Sequence, residues 1–181
     1  MRIGKNWLDQ LYDRSLRKQL KLQSRQQAPV GYQQATSIGI LTDTQDLETL
    51  ETVKKFVHAQ KKRQVKVLAY FNDKEAHPNF PFAYFGNRDV NLISKPKGSE
   101  VEQFMAQPFD ILFNLCLEEN LMLGYIAALS NAKMRIGPYQ EKTDYYDLMI
   151  DIPKGKGIKY FIEQAEQILA NINSEHEVST I

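Results

Sequence analysis

The chain has 181 residues, of which 43% are apolar, enough for one α/β domain with a proper core. A formal net charge of +1 excludes an acidic solvating tail and a general polyanion binder, and the single cysteine, Cys116, excludes an internal disulfide or a thiolate zinc cluster. The sequence has no apolar run of about 18 residues, and charges interrupt its N-terminus every few residues, so the expectation is a cytoplasmic protein with neither membrane span nor secretory leader.

Charge is unevenly placed. Residues 1–27 carry seven Lys or Arg against two Asp, whereas the remainder carries 16 basic against 20 acidic residues. That asymmetry predicts a basic arm on a mildly acidic body. Ile3, Trp7, Leu8, Leu11, Tyr12, Leu16 and Leu20 recur at helical spacing and predict an amphipathic helix over residues 3–26. Arg14, Arg17, Lys18, Lys21 and Arg25 crowd its second half, and Ala28-Pro29-Val30-Gly31 marks a break. Three uses of this arm are open: a helix laid on the body with a solvated basic face, a helix docking on RNA or a protein partner, and a membrane-surface helix.

Beyond the break, residues 36–42 read as a first strand, with Gly39 allowing a close backbone approach. Asp43 or Thr44 can cap the next helix, Asp46 and Glu48 suit its first turn, and Leu47, Leu50, Val53 and Val57 form its inward face. Val65 to Phe71 is apolar enough for the interior of a parallel sheet. Residues 72–98 are irregular, with short strands expected at Phe82–Phe85 and Val90–Ile93. Their aromatic and basic residues could stack on single-stranded nucleic acid, but filling a core edge is the preferred reading.

The segment from Pro108 to Gly137 reads as one βαβ unit around which the rest is organised: a strand over Phe109–Leu115, a buried helix opened by Glu118 and Glu119 and closed at Asn131, and a strand over Lys133–Ile136. Gly124 in that helix costs about 1 kcal/mol relative to alanine, which is tolerated where another backbone comes close. A last strand over Tyr145–Ile152 and a helix over Gly157–Asn173 complete the domain, and the tail SEHEVSTI is expected to fray. The expected organisation is an arm and linker over residues 1–30, an α/β domain over 31–174 and a tail over 175–181.

Alternating strands and helices imply a three-layer, Rossmann-like, mostly parallel sheet, and ligands of such sheets bind beyond the strand C-termini. The candidate rim there is Thr42, Asp43, Asn72, Asp73, Asn114, Glu118 and Glu119, with Cys116, Tyr139 and Asp151 close by, suited to a nucleotide or a sugar phosphate. No dinucleotide or P-loop glycine pattern is present, and Pro153-Lys154-Gly155-Lys156-Gly157 reads as a flexible lead-in to the last helix. His58, His77 and His176 are scattered, so no metal site, no catalytic base for Cys116 and no cofactor are expected.

The segment FDILFNLCLEENLMLGYIAALSNAKMRIG carries two resemblances. It is similar to an uncharacterised family of Bacteroidota-type bacterial proteins with a basic N-terminal helix, which brings no established activity. Ala127 to Gly137 also resembles a segment in the acceptor-side half of heptosyltransferase-like glycosyltransferases. The latter implies a Rossmann-like sheet; those enzymes need a second half for the donor, and 181 residues hold one. The reading that follows is a non-enzymatic protein engaging RNA or a ribonucleoprotein through Trp7, Leu11, Arg14, Arg17, Lys18, Lys21 and Arg25. The alternatives are a small-molecule enzyme or sensor using the strand-end rim, and a protein–protein adaptor or homodimer joined through the arm.

Overall fold

The computed structural model describes residues 7–43, 47–141 and 145–177. The helix at the N-terminus, α1, spans Trp7–Leu20. Then come β1 (Ser37–Asp43), α2 (Leu47–Ala59), β2 (Gln64–Phe71), β3 (Ala83–Gly86) and α3 (Ser99–Ala106). The chain ends with β4 (Ile111–Asn114), α4 (Leu121–Leu129), β5 (Met134–Pro138), β6 (Leu148–Ile150) and α5 (Ile158–Glu177).

All six strands are parallel, in the order β3-β2-β1-β4-β5-β6. The chain winds outward from β1 to β3, returns, and winds the other way from β4 to β6. Its switch point therefore lies between β1 and β4, the Rossmann-like arrangement expected of the alternating pattern. Side chains alternate across the sheet. Ile38, Ile40, Ile111 and Phe113 pack with Val53 and Phe56 of α2 and Phe161 and Leu169 of α5. Leu41, Leu68 and Leu112 face the other way, toward α3, α4 and α1.

The helix α4 is apolar all round because it is covered twice, by the sheet and by α1. Tyr12 and Leu16 of α1 are buried in the same core as Leu123, Tyr125 and Ile126. The Tyr12 hydroxyl donates to the Leu121 carbonyl at 2.7 Å, and the chain just past α1 is held at the other end of α4, where Gln23 Nε2 donates to the Leu129 and Ser130 carbonyls. Thus α1 runs alongside α4 in the same direction. A tilted contact between the Tyr12 and Tyr125 rings, 6.1 Å apart, closes this layer.

Several boundaries differ from those the sequence suggests. The first helix ends at Leu20, not 26, and its predicted start at Ile3 and Gly4 lies outside the described residues. Residues beyond it run along the sheet, with Ala28 N bonded to the Lys133 carbonyl and Tyr32 N to that of Leu169. Thr44, Asp46 and the last four residues also lie outside the described residues, whereas residues 174–177 continue α5. Glu118 and Glu119 precede α4 without opening it, because Asn120 caps it by accepting from the Met122 and Leu123 amides, both at 3.1 Å. Ser130, not Asn131, is its C-cap. Val90 forms only an isolated bridge to Pro96. The last strand keeps three residues, because Tyr145 and Tyr146 are buried in the core ahead of it.

Candidate functional site

At the C-terminal ends of β1 and β2 and the start of α4 lies a cleft of about 430 Å³, lined by Asp43, Tyr70, Phe71, Asn72, Asp73, His77, Asn120 and Met122. It straddles the switch point side of the sheet, where such folds bind ligands. The loop after β2 is ordered by its own polar bonds. Asp73 Oδ1 accepts from the Glu75 amide at 2.9 Å and pairs with His77 Nε2 at 3.1 Å, an arrangement that holds the Asp73 carboxyl below its usual range. The imidazole of His77 stacks on Phe71 with ring centroids 3.7 Å apart, and its backbone amide donates to the Tyr84 hydroxyl. Phe80 packs edge-on to Phe71, Phe82 and Tyr84. These rings pack on one another at the sheet edge, Phe82 also against the core, and the cleft lining holds no Lys or Arg.

The Tyr70 hydroxyl donates to Asn87 Oδ1 at 2.6 Å and lies 3.3 Å from Asn72 Oδ1, which accepts from Asn87 Nδ2. Burial, and then the nearby Asp73 charge, push the Tyr70 phenol up, so it remains a donor.

The predicted rim is only partly assembled. Asp43, Asn72 and Asp73 meet in this cleft. Thr42 is buried with its hydroxyl on the Asp43 carbonyl. Asn114 is 1% exposed, and its amide donates to the Tyr146 hydroxyl while its oxygen accepts from the Cys116 amide. Both are structural groups behind the rim. Glu118 and Glu119 are exposed on the loop before α4 and do not line the cleft. Tyr139 and Asp151 line a separate, smaller hollow of about 210 Å³ with the Pro153–Lys156 loop. Tyr70, His77, Asn120 and Met122 were not legible as site residues. Only the Asn immediately before an apolar helical run offered a signal, as a cap.

Cys116 is buried, with its thiol donating to Asp43 Oδ2 at 3.1 Å and lying 3.4 Å from the Glu118 carbonyl. Burial, followed by the Asp43 carboxylate, pushes the thiol far above its usual range, the opposite of what a nucleophile needs. His77 is engaged with Asp73, and the described residues contain no cluster of His, Cys, Asp or Glu able to hold a metal ion.

The second predicted surface is α1. Arg14, Arg17 and Lys18 are exposed on the helix and Lys21 is exposed just after it. Trp7 and Leu11 do not anchor the helix to the body; they are 65% and 41% exposed, and Tyr12 and Leu16 do the anchoring. Within α1 the three cations stand against Asp9 and Asp13, so the helix itself is charge-segregated more than strongly basic.

Arg25 is removed from this surface. Its guanidinium makes a bidentate pair with Asp147, both bonds 2.6 Å, and its side chain is 8% exposed. Arg135 reaches the same carboxylate at 3.3 Å. Burial works to raise the Asp147 pKa, but the bonds from Arg25 and Arg135 outweigh it and hold the carboxyl below its usual range.

Among the described residues no helix is long and apolar enough to cross a membrane. No curated protein and no solved structure matches the chain, so nothing supports the resemblance to glycosyltransferases. Residues 9–172, from α1 into α5, match a family of unknown function (DUF6913), and the chain belongs to that family.

Proposed function

We propose that this is a non-enzymatic cytoplasmic protein that engages RNA or a ribonucleoprotein through the outer face of α1. One observation carries the reading. Burial of Tyr12 and Leu16 against α4 fixes the rotation of α1, and that rotation exposes Arg14, Arg17, Lys18 and Lys21 together with Trp7 and Leu11. Cations pair with phosphates, and an exposed indole adds a face on which a base can stack. The test is sedimentation of the protein from a lysate at low and high salt, with and without RNase, for the wild type and for R14E/R17E/K18E/K21E. Co-migration with large particles that is lost with salt, RNase or the four substitutions is expected. Salt-insensitive migration, or migration unaffected by the substitutions, overturns the reading. A concentration-dependent dimer that depends on Trp7 and Leu11 would indicate an adaptor instead.

The cleft beside Asp43 and Asp73 favours a second reading, a small-molecule sensor or enzyme. Its lining holds two carboxylates and no Lys or Arg. That suits a neutral polyhydroxyl or a cationic ligand, and it disfavours the nucleotide or sugar phosphate expected from sequence. A thermal-shift screen of sugars and amines on the wild type and Asp73→Asn tests it. Absence of any ligand-dependent shift counts against it.

A further inference from the structure

A second concavity, about 570 Å³, opens at the opposite, N-terminal edge of the sheet. It is lined by Lys61, Lys62, Arg63 and Lys66 around the start of β2, and by Gln64 and Gln107 among others, with no carboxylate. Arg63 is structural: it is held by the Ala35 and Tyr32 carbonyls and by Gln60, and lies over the Tyr32 ring. Lys61, Lys62 and Lys66 are exposed, and among the described residues none of them makes an ion pair.

The chain leaving α1 leads back to this edge. From Lys21 the chain passes Gln23 on the last residues of α4 and Arg25 on the Ala132 and Lys133 carbonyls. Lys133 N bonds to the Phe109 carbonyl, and Lys133 Nζ pairs with Asp110 at 2.8 Å. Asp110 in turn accepts from Thr36 and Ser37, which line the concavity. Two carboxylates along this edge are thus already answered: Asp110 by Lys133, and Asp147 by Arg25 and Arg135.

We propose that Lys61, Lys62 and Lys66 extend the α1 surface into one cationic track along the N-terminal edge of the sheet, and that its ligand is single-stranded RNA. The proposal rests on the reading of α1 given above and adds a second, independent set of contacts. Three strand spacings separate β2 from β5, a span of roughly 14 Å. A single strand carries one phosphate per nucleotide, and a strand of several nucleotides can meet cations at both ends of that span. The concave floor and the Gln64 and Gln107 amides favour a chain that can enter a groove over a flat anionic bilayer.

The experiment uses fluorescence anisotropy of a labelled 20-nucleotide oligouridylate across a salt series. The proteins are the wild type, K61Q/K62Q/K66Q, R14Q/R17Q/K18Q/K21Q and the conservative K61R/K62R/K66R. Loss of three phosphate contacts is expected to reduce the log–log salt slope by about 2 in the first variant. The Arg variant should keep the wild-type slope, and thermal melts should be unchanged because all three positions are exposed. If only the α1 variant loses binding, the track is overturned and the α1 reading stands. If only the edge variant loses binding, the α1 reading and the continuous track both fall. Absence of RNA binding by the wild type also overturns both, as does equal binding by all four proteins. Binding to phosphatidylserine vesicles but not to the RNA would overturn the choice of ligand.

Discussion

Asp147 is the residue on which the most structure converges. It receives both guanidinium nitrogens of Arg25, the Arg135 side chain and the Arg135 backbone amide. Asp147→Asn keeps the shape but takes the carboxylate away from the largely buried Arg25 guanidinium, and removing one partner of such a pair costs about 3–5 kcal/mol. A fall in the urea midpoint with an unchanged slope would register this; a change below 1 kcal/mol would show that the pair is idle. The same carboxylate gives a pH dependence. Asp147 and Asp110 both have folded-state pKa values below the unfolded value, Asp110 because bonds from Lys133, Thr36 and Ser37 overcome the effect of its burial. Their stabilisation is therefore present above about pH 4, the unfolded carboxylate value, and is lost as pH falls through the lower folded values. Urea midpoints should hold above about pH 4 and fall as the pH drops from there towards 2 in the wild type, more shallowly in Asp147→Asn. Cys116, buried on a carboxylate, should resist iodoacetamide at pH 8 in the native protein and react fully in 6 M guanidinium.

Among the elements, α4 shows what the sequence conveyed and what it withheld. Its nearly unbroken apolar run announced a helix buried on every side, and it is. Gly124 suggested that something approaches closely, but what approaches is the Tyr145 ring and not a backbone. An added Cβ would lie 2.7 Å from Tyr145 Cε2. Gly124→Ala should therefore destabilise by about 1–3 kcal/mol through overpacking, despite a gain of about 1 kcal/mol in helix propensity. A melting temperature above wild type would refute the contact. The sheet was legible because β1, β2, β4 and β5 are short, largely apolar runs of the kind buried inside a parallel sheet. Less legible was β6, since Tyr145 and Tyr146 read as strand although their rings are used in packing. The rim was misjudged for a related reason. A polar residue at a strand end looks the same in sequence whether it meets solvent, as Asn72 does, or a buried hydroxyl, as Asn114 does. Likewise Arg25 reads as one more cation of the arm, because nothing local indicates an Asp 122 positions away.

For the whole molecule the two ends of the sheet are chemically opposite. The C-terminal edge presents Asp43 and Asp73 in a cleft without lysine, and the N-terminal edge presents Lys61, Lys62 and Lys66 in one without carboxylates. A net charge of +1 conceals this polarity, which is why composition alone argued against a polyanion partner. The only tryptophan, Trp7, lies exposed on α1 near the other end of that helix. Its emission should be red-shifted and open to acrylamide in the free protein and should change on binding at α1. A partner that leaves it unaltered binds elsewhere.

The bonds from Tyr12 to Tyr145 and from Arg25 to Asp147 join α1 and the segment just past it to the chain just before β6, across 133 and 122 positions. At the usual pace of about 5–20 residues per second, α1 is made roughly 5–20 s before α4, the helix against which it docks. Throughout that interval Tyr12, Leu16 and Leu20 have no core to enter. This helix is therefore secured only late in synthesis, and nascent chains halted before residue 121 should leave it open to protease, whereas released chains should not.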